Sequence, residues 1–310
     1  MPLDGIHDKR LILVLGKGGV GRTTIASAIA LDCARRGRRT LLYQAAMRDS
    51  VSTLLGTAPI GENITPVREK LWAVNTNPNA ALHEYGLMVL HYETVYRMVL
   101  ENRVAKALVR AIPGLDDYSI IGKLWWHTTE TLADGSPRWD TIVFDAPATG
   151  HAVTMLDIPR VILEVVPDGP LTRDATKVRA LLEDPARTAG VIVTLAEEMP
   201  VNEAIELHDK LAPRFPLRHV VVNQLFPDRF ASGSTAGRML DALSDAKETW
   251  LAPARLVRSR RALHDEHLAR LRARLSLPKT ELPYLFVPTL GKKEVEELSR
   301  RLCSLPLSVV

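Results

Sequence analysis

Cysteine is nearly absent: of 310 residues only Cys33 and Cys303 carry a thiol. They lie far apart and form no Cys-x-x-Cys pair, which excludes a disulfide framework and a thiolate zinc site. Both read as small apolar residues on helices. Long hydrophobic runs are also missing. Nothing approaches the roughly 18 apolar residues that a bilayer-crossing helix needs, and residues 1–10 lack the apolar centre of a signal peptide. The expectation is a cytoplasmic protein that is not an integral membrane protein. A large excess of one charge is missing as well: 40 basic against 36 acidic residues leave a net charge of +4 and a pI near 9.1, which do not by themselves select nucleic acid as a partner. There is no internal repeat and no low-complexity linker. Apolar residues, by contrast, make up 46% of the chain, enough for a packed core and incompatible with general disorder. The length suits one large α/β domain or two small ones.

The chain is organised around Gly16-Lys17-Gly18-Gly19-Val20-Gly21-Arg22-Thr23-Thr24. An apolar run, Leu11 to Leu15, precedes it as a buried strand would, and Ile25 to Arg36 follows with apolar residues at helical spacing. Strand, glycine loop and helix together form a phosphate cradle. The glycines let backbone N–H groups turn towards an anion, and the helix start adds its unsatisfied N–H groups and positive dipole end. Thr23, directly after the basic residue, is placed to hold Mg2+ against phosphates.

The pattern Lys-Gly-Gly-Val-Gly-basic-Thr resembles the deviant P-loop of the class containing arsenite-efflux ATPases, tail-anchored-protein-targeting ATPases and the MinD and ParA proteins. The resemblance implies a P-loop NTPase of α/β type, a mostly parallel sheet flanked by helices, with ATP and Mg2+ as cofactors. It implies further that Lys17 reaches the nucleotide of a facing subunit, so that ATP lies at a dimer seam. Two positions depart from the family. Arg22 stands where the loop lysine is expected, and a planar guanidinium does not substitute freely for a compact ammonium. The second strand, Arg39 to Tyr43, leads into Gln44-Ala45-Ala46-Met47-Arg48-Asp49, which puts Ala46 where relatives carry a water-positioning aspartate. Gln44 or Asp49 could orient water instead, and a solvent-facing turn is the plainer reading of both.

Further along, residues 50–70 are rich in loop formers, with Val51 to Leu55 helical, and Leu71 to Val74 is strand-like. From 80 to 132 the pattern turns helical, with Leu82, Tyr85, Val89, Tyr92, Tyr96 and Val99, then Val104, Leu108 and Ile112, then Ile120, Ile121, Leu124, Trp125 and Trp126. This stretch reads as a helical subdomain inserted into a single nucleotide-binding domain spanning 1–310. In the targeting ATPases such an insertion forms an apolar groove for a membrane-protein client, and simple core packing is the alternative. Trp139 to Asp145 restores the strand signal and ends in an acid that suits the Mg2+ shell. The following Ala146-Pro147-Ala148-Thr149-Gly150-His151 resembles the family's γ-phosphate-sensing switch, Ala148, Thr149, Gly150 and His151 being its moving part.

Val161–Val166, Ala189–Thr194 and Arg218–Val222 read as strands separated by helices at 171–183 and 201–211. Val191 to Pro200 resembles the arsenite and targeting branch more than the partitioning branch. Asn223, at a strand end, matches the family's adenine-recognition residue, its amide able to donate and accept at once. Relatives often carry a zinc-binding Cys-x-x-Cys after this point; here Leu225 to Arg229 contains no cysteine, so zinc is not expected. Seven arginines crowd residues 255–274, first read as a solvated helix face, then as a contact for an acidic membrane or protein, and last for nucleic acid. Glu281–Val287 reads as the last strand, and Pro288 falls where relatives pack backbone against adenine.

The sequence thus predicts an ATP-binding dimer that couples nucleotide state to a helical client or partner surface, with Lys17 and Asp145 catalytic and turnover weakened by Arg22 and Ala46. A subunit that hydrolyses nothing and pairs with an active paralogue is the first alternative. A ParA-like protein on DNA is the second.

Overall fold

The computed structural model describes residues 3, 5–76, 115–231, 233–243 and 249–303. Eight strands form one sheet: β1 (Leu11–Gly16), β2 (Thr40–Ala45), β3 (Thr65–Arg68), β4 (Leu71–Thr76), β5 (Thr141–Asp145), β6 (Thr188–Leu195), β7 (Leu217–Leu225) and β8 (Lys279–Pro283). Their spatial order is β3-β4-β2-β5-β1-β6-β7-β8, parallel throughout except for β3 against β4. Nine α-helices are described: α1 (Arg22–Arg35), α2 (Val51–Leu55), α3 (Leu115–Thr129), α4 (Thr149–Val165), α5 (Pro170–Glu183), α6 (Glu198–Leu211), α7 (Thr235–Ala242), α8 (Ala252–Arg274) and α9 (Lys292–Cys303).

The continuous apolar run of β1 has a simple cause: both faces of a parallel sheet are covered. Leu11, Leu13 and Leu15 point into a core shared with α3, α4, α5, α6 and α8. Ile12 and Val14 point into the opposite core, with Ile25 and Ile29 of α1, Leu55 of α2, and Val295 and Leu298 of α9. Each fully buried Ile or Leu contributes about 1.5–3 kcal/mol relative to exposure, so these two layers fix the sheet. Helices α1 and α9 approach closely at Ala28, whose carbonyl accepts a 2.7 Å bond from the Ser299 hydroxyl. At the N-terminal ends of the strands, Trp72 and Trp139 meet edge to face, ring centroids 5.2 Å apart, and Trp139 Nε1 donates to Glu130 over 2.7 Å.

Three expectations need correction. Val161–Val166 is not a strand: through Val165 it is the last part of α4, which runs through Pro159. Its β-branched run suits either structure, and the burial of Ala152, Met155, Leu156, Ile158 and Ile162 at helical spacing decides for the helix. The last strand is Lys279–Pro283, not Glu281–Val287, and the chain beyond Pro283 leaves the sheet. An edge strand, β3, lies within the loop-rich 50–70 stretch. Of the expected helical insertion, Leu82 to Ile112 lies outside the described residues. Within α3, Ile120, Ile121 and Leu124 are buried against the sheet, and Trp126 is exposed.

Candidate functional site

Residues at the C-terminal ends of β1, β2, β5 and β7 converge on the glycine loop, where strand order reverses about β1. Gly16 has φ 151°, and a Cβ there would lie 2.3 Å from the Val193 carbonyl oxygen. Gly19 and Gly21 adopt φ near 88° and 89°, a region that only glycine enters freely. Cβ atoms built at Gly18 and Gly19 meet nothing within 4 Å, so this side of the loop stays open to an approaching ligand. At Gly21 a Cβ would come within 2.4 Å of Asn223 Nδ2. Gly21 caps α1, and Val20 is buried beneath the loop.

Under the loop, the Thr23 hydroxyl donates to Asp145 Oδ2 over 2.7 Å, and Gln44 Nε2 reaches the same oxygen at 3.3 Å. Register makes this meeting obligatory, since Gln44 and Asp145 are paired residues at the ends of β2 and β5. Burial pushes the Asp145 carboxyl pKa up, against the bonds from Thr23 and Gln44 and the charge of Arg22. Its other oxygen, Oδ1, is buried with no hydrogen-bond partner, and so is Gln44 Oε1. Unpaired buried oxygens are costly, and a cation with its waters answers that deficit. Thr23 and Asp145 therefore fit Mg2+ on their own chemistry.

Arg22 turns its guanidinium onto the carbonyl of Ala146, joining the loop to the first residue after β5. Ala46 has only a methyl side chain; its N–H donates to Asn75 Oδ1 at 3.2 Å. Asp49 is occupied structurally, accepting from the N–H groups of Ser52 and Ile60 at 3.0 and 2.8 Å. Burial works against its charge, but these bonds outweigh it and its pKa lies below the usual value. Ala148, Gly150 and His151 are exposed, and Thr149 begins α4 with a buried hydroxyl that has no hydrogen-bond partner.

Beside the loop lies a cleft of about 200 Å³ whose lining includes Thr24, Asn223, Tyr284, Phe286 and Pro288. Tyr284 and Phe286 form its aromatic wall, centroids 4.7 Å apart, and Phe226 packs against both, at 5.1 and 5.5 Å. Gln224 and Phe286 hold φ values of 55° and 52°, a conformation that costs non-glycine residues on the order of 1–2 kcal/mol. Asn223 already uses both ends of its amide: Nδ2 donates to the Val20 carbonyl at 3.0 Å and Oδ1 accepts from Gln224 N at 2.9 Å. Asn223 and Pro288, expected from the sequence beside the base, both line this cleft; the expectation did not include Tyr284 and Phe286, or the contact of Phe226 from almost 60 residues away. The aromatic spacing Tyr284-x-Phe286 was the available signal.

Lys17 lies at the rim. Its ammonium pairs with Glu203 of α6 at 2.7 Å, each side chain about one third exposed (34% and 30%). On α8, Arg258 pairs with Asp241, Arg261 with Asp265, and Arg272 with Glu281. Among the described residues no group of three or more His, Cys, Asp or Glu side chains could hold a metal ion, and no helix is long and apolar enough to cross a membrane.

A central parallel strand feeding a glycine loop and a helix, with Thr23 on the acid of the neighbouring strand end, defines a P-loop NTPase fold. The profile of anion-transporting ATPases matches residues 9–167 and 171–250, and the chain belongs to that family. It is 32% identical over 224 residues to the ATPase BagA of Mycobacterium tuberculosis, covering 70% of this chain and 66% of that one. An arsenical pump-driving ATPase of Acidiphilium multivorum is 29% identical over 233 residues, 69% of this chain but 39% of the relative. The ATPase GET3B of Arabidopsis thaliana is 25% identical over 272 residues, covering 71% and 65%. The matched part of the chain thus spans just under two thirds of the mycobacterial relative and well under half of the arsenical one.

Proposed function

We propose that this chain binds Mg·ATP and works as a nucleotide-dependent dimer whose ATP state is relayed to a partner or client surface. The observation that carries the reading is the Thr23–Asp145 contact beneath an open glycine loop, with Asp145 Oδ1 buried and unpaired. In this reading Gly16 to Thr24 cradle the phosphates, and Thr23 and Asp145 hold Mg2+. The base enters the cleft lined by Asn223 and Pro288. Bound Mg2+ would neutralise phosphate charge and polarise the phosphoryl oxygens. Lys17 leaves Glu203 to reach the facing subunit's nucleotide. Ala148 to His151 follow the nucleotide state from the start of α4.

Turnover is weak in this reading. Arg22 spends its guanidinium on Ala146, Ala46 offers no carboxylate, and Asp49 is held by the Ser52 and Ile60 amides. The same three observations favour a second form, a nucleotide-binding subunit that lends Lys17 to an active paralogue. Cytoplasmic location and a hydrophobic membrane-protein client belong to the same proposal. They rest on the resemblance of the glycine loop and of residues 146–151 to the tail-anchored-protein-targeting ATPases.

The test is ATP binding and steady-state hydrolysis by the purified protein, with native mass measured with and without ATP. Tight binding and an ATP-dependent dimer are expected; no binding of ATP would overturn the reading. Arg22→Lys combined with Ala46→Asp is expected to raise turnover at least tenfold, since one well-placed water-orienting or charge-stabilising group is commonly worth about 10²–10³. No gain in the double variant would favour the paralogue-dependent form.

A further inference from the structure

Gln44 lies near the end of β2 with 1% of its surface exposed. Its Nε2 donates twice, to Asp145 Oδ2 at 3.3 Å and to the Ser50 hydroxyl at 3.1 Å. The carboxylate acceptor fixes the amide's orientation, because only the NH₂ end can face a carboxylate oxygen favourably. The carbonyl end, Oε1, is therefore left facing away from Asp145 Oδ2, buried and without a partner. Asp145 Oδ1 is in the same condition on the adjoining strand end. Two neighbouring side chains each satisfy one oxygen or nitrogen within the protein and each leave one buried oxygen unmet. Leaving two such acceptors dry costs stability; the arrangement persists economically only where hydrogen-bond donors or a cation arrive from outside.

We propose that Gln44 is part of the divalent-cation site. Its Oε1 and Asp145 Oδ1 are the acceptors for the water shell of the Mg2+ that Thr23 and Asp145 hold. The amide supplies an oxygen near the end of β2, two residues before Ala46, whose methyl supplies none. A neutral oxygen adds no charge beside Asp145, which the burial of that carboxyl already disfavours. An oxygen-only set of hydroxyl, carboxylate and amide suits a hard divalent cation. The inference rests on the proposed nucleotide reading, and it adds a residue that the loop pattern does not contain.

The experiment measures Mn2+ binding by electron paramagnetic resonance, with a non-hydrolysable ATP analogue present, in the intact protein and in Gln44→Met and Gln44→Glu. Met keeps the length and apolar burial while removing both amide ends, and its Mn2+ affinity is expected to fall about tenfold, the lower end for loss of a metal's outer-shell partner. The affinity for analogue without divalent cation should stay unchanged. Glu places a second carboxylate against Asp145. It should lower the melting temperature without cation and show a larger Mn2+-induced rise than the parent protein, whereas a merely structural Gln44 predicts the same deficit with and without Mn2+. Equal Mn2+ affinity in the parent and in Gln44→Met, with equal Mn2+-induced shifts in the parent and in Gln44→Glu, would overturn the inference and leave nucleotide binding standing. Failure of the parent protein to bind the analogue with or without Mn2+ would overturn the nucleotide reading, and the inference with it.

Discussion

At the residue scale, the site concentrates groups held against their ordinary preference. Asp145 is the clearest. Its pKa is raised in the folded protein, so the native state binds more protons than the unfolded one over the window from the ordinary aspartate value of 3.8 up to the folded value. Stability from this group is therefore greatest below that window and falls as pH rises through it. Asp145→Asn removes the buried charge while leaving an acceptor for Thr23. It is expected to raise the melting temperature of the ligand-free protein at neutral pH, flatten that pH dependence, and lose Mg2+-dependent nucleotide binding. A lower melting temperature would show that the charge is compensated within the chain. Gly21→Val should abolish nucleotide binding, because a side chain there meets Asn223 at 2.4 Å and the backbone sits at φ 89°. Unchanged affinity would refute the loop's role. Cys33 is chemically silent for a physical reason: burial, helped by Asp32, pushes its thiol up to about 12. At pH 8 only on the order of 1 thiol in 10⁴ is ionised. In a Cys303→Ser background, native protein should resist thiol reagents until it is unfolded.

At the element scale, legibility followed the range of the interactions. The strand, loop and first helix were readable because glycine spacing and apolar runs are local, and Asp145 was readable because an acid ends a buried strand. What escaped depended on distant partners. Val161 to Val166 carries a strand's residues, and only the packing of Met155, Leu156 and Ile162 makes it helix. Phe226 meets Tyr284 and Phe286 because β7 and β8 are neighbours, which no window of sequence contains. The Lys17–Glu203 pair likewise joins a loop to a helix far along the chain. The α1–α9 contact offers an element-level test. Ser299→Val replaces the hydroxyl that bonds Ala28 with a branched apolar group in a close helix crossing. It is expected to cost about 1–3 kcal/mol in urea unfolding, the usual scale for overpacking. A neutral effect would mean that the two helices can separate freely.

For the molecule as a whole, the proposed dimer requires Lys17 to exchange Glu203 for a facing subunit. The pair is about one third exposed, so its net worth is small, in the 0.2–1 kcal/mol range of surface ion pairs. Glu203→Gln should therefore favour ATP-dependent association by no more than about fivefold in native mass titrations. Loss of association instead would assign Glu203 to the seam itself. The tryptophan pair at the other end of the sheet has a use in all of these experiments. Trp72 and Trp139 stand at the N-terminal ends of β4 and β5, away from the loop, in an edge-to-face geometry at 5.2 Å. Two indoles that close share their electronic excitation, so the native protein carries an optical couplet anchored to the sheet. Its circular dichroism should hold steady as nucleotide is added and collapse on denaturation, giving each sample an internal standard for intactness without a label.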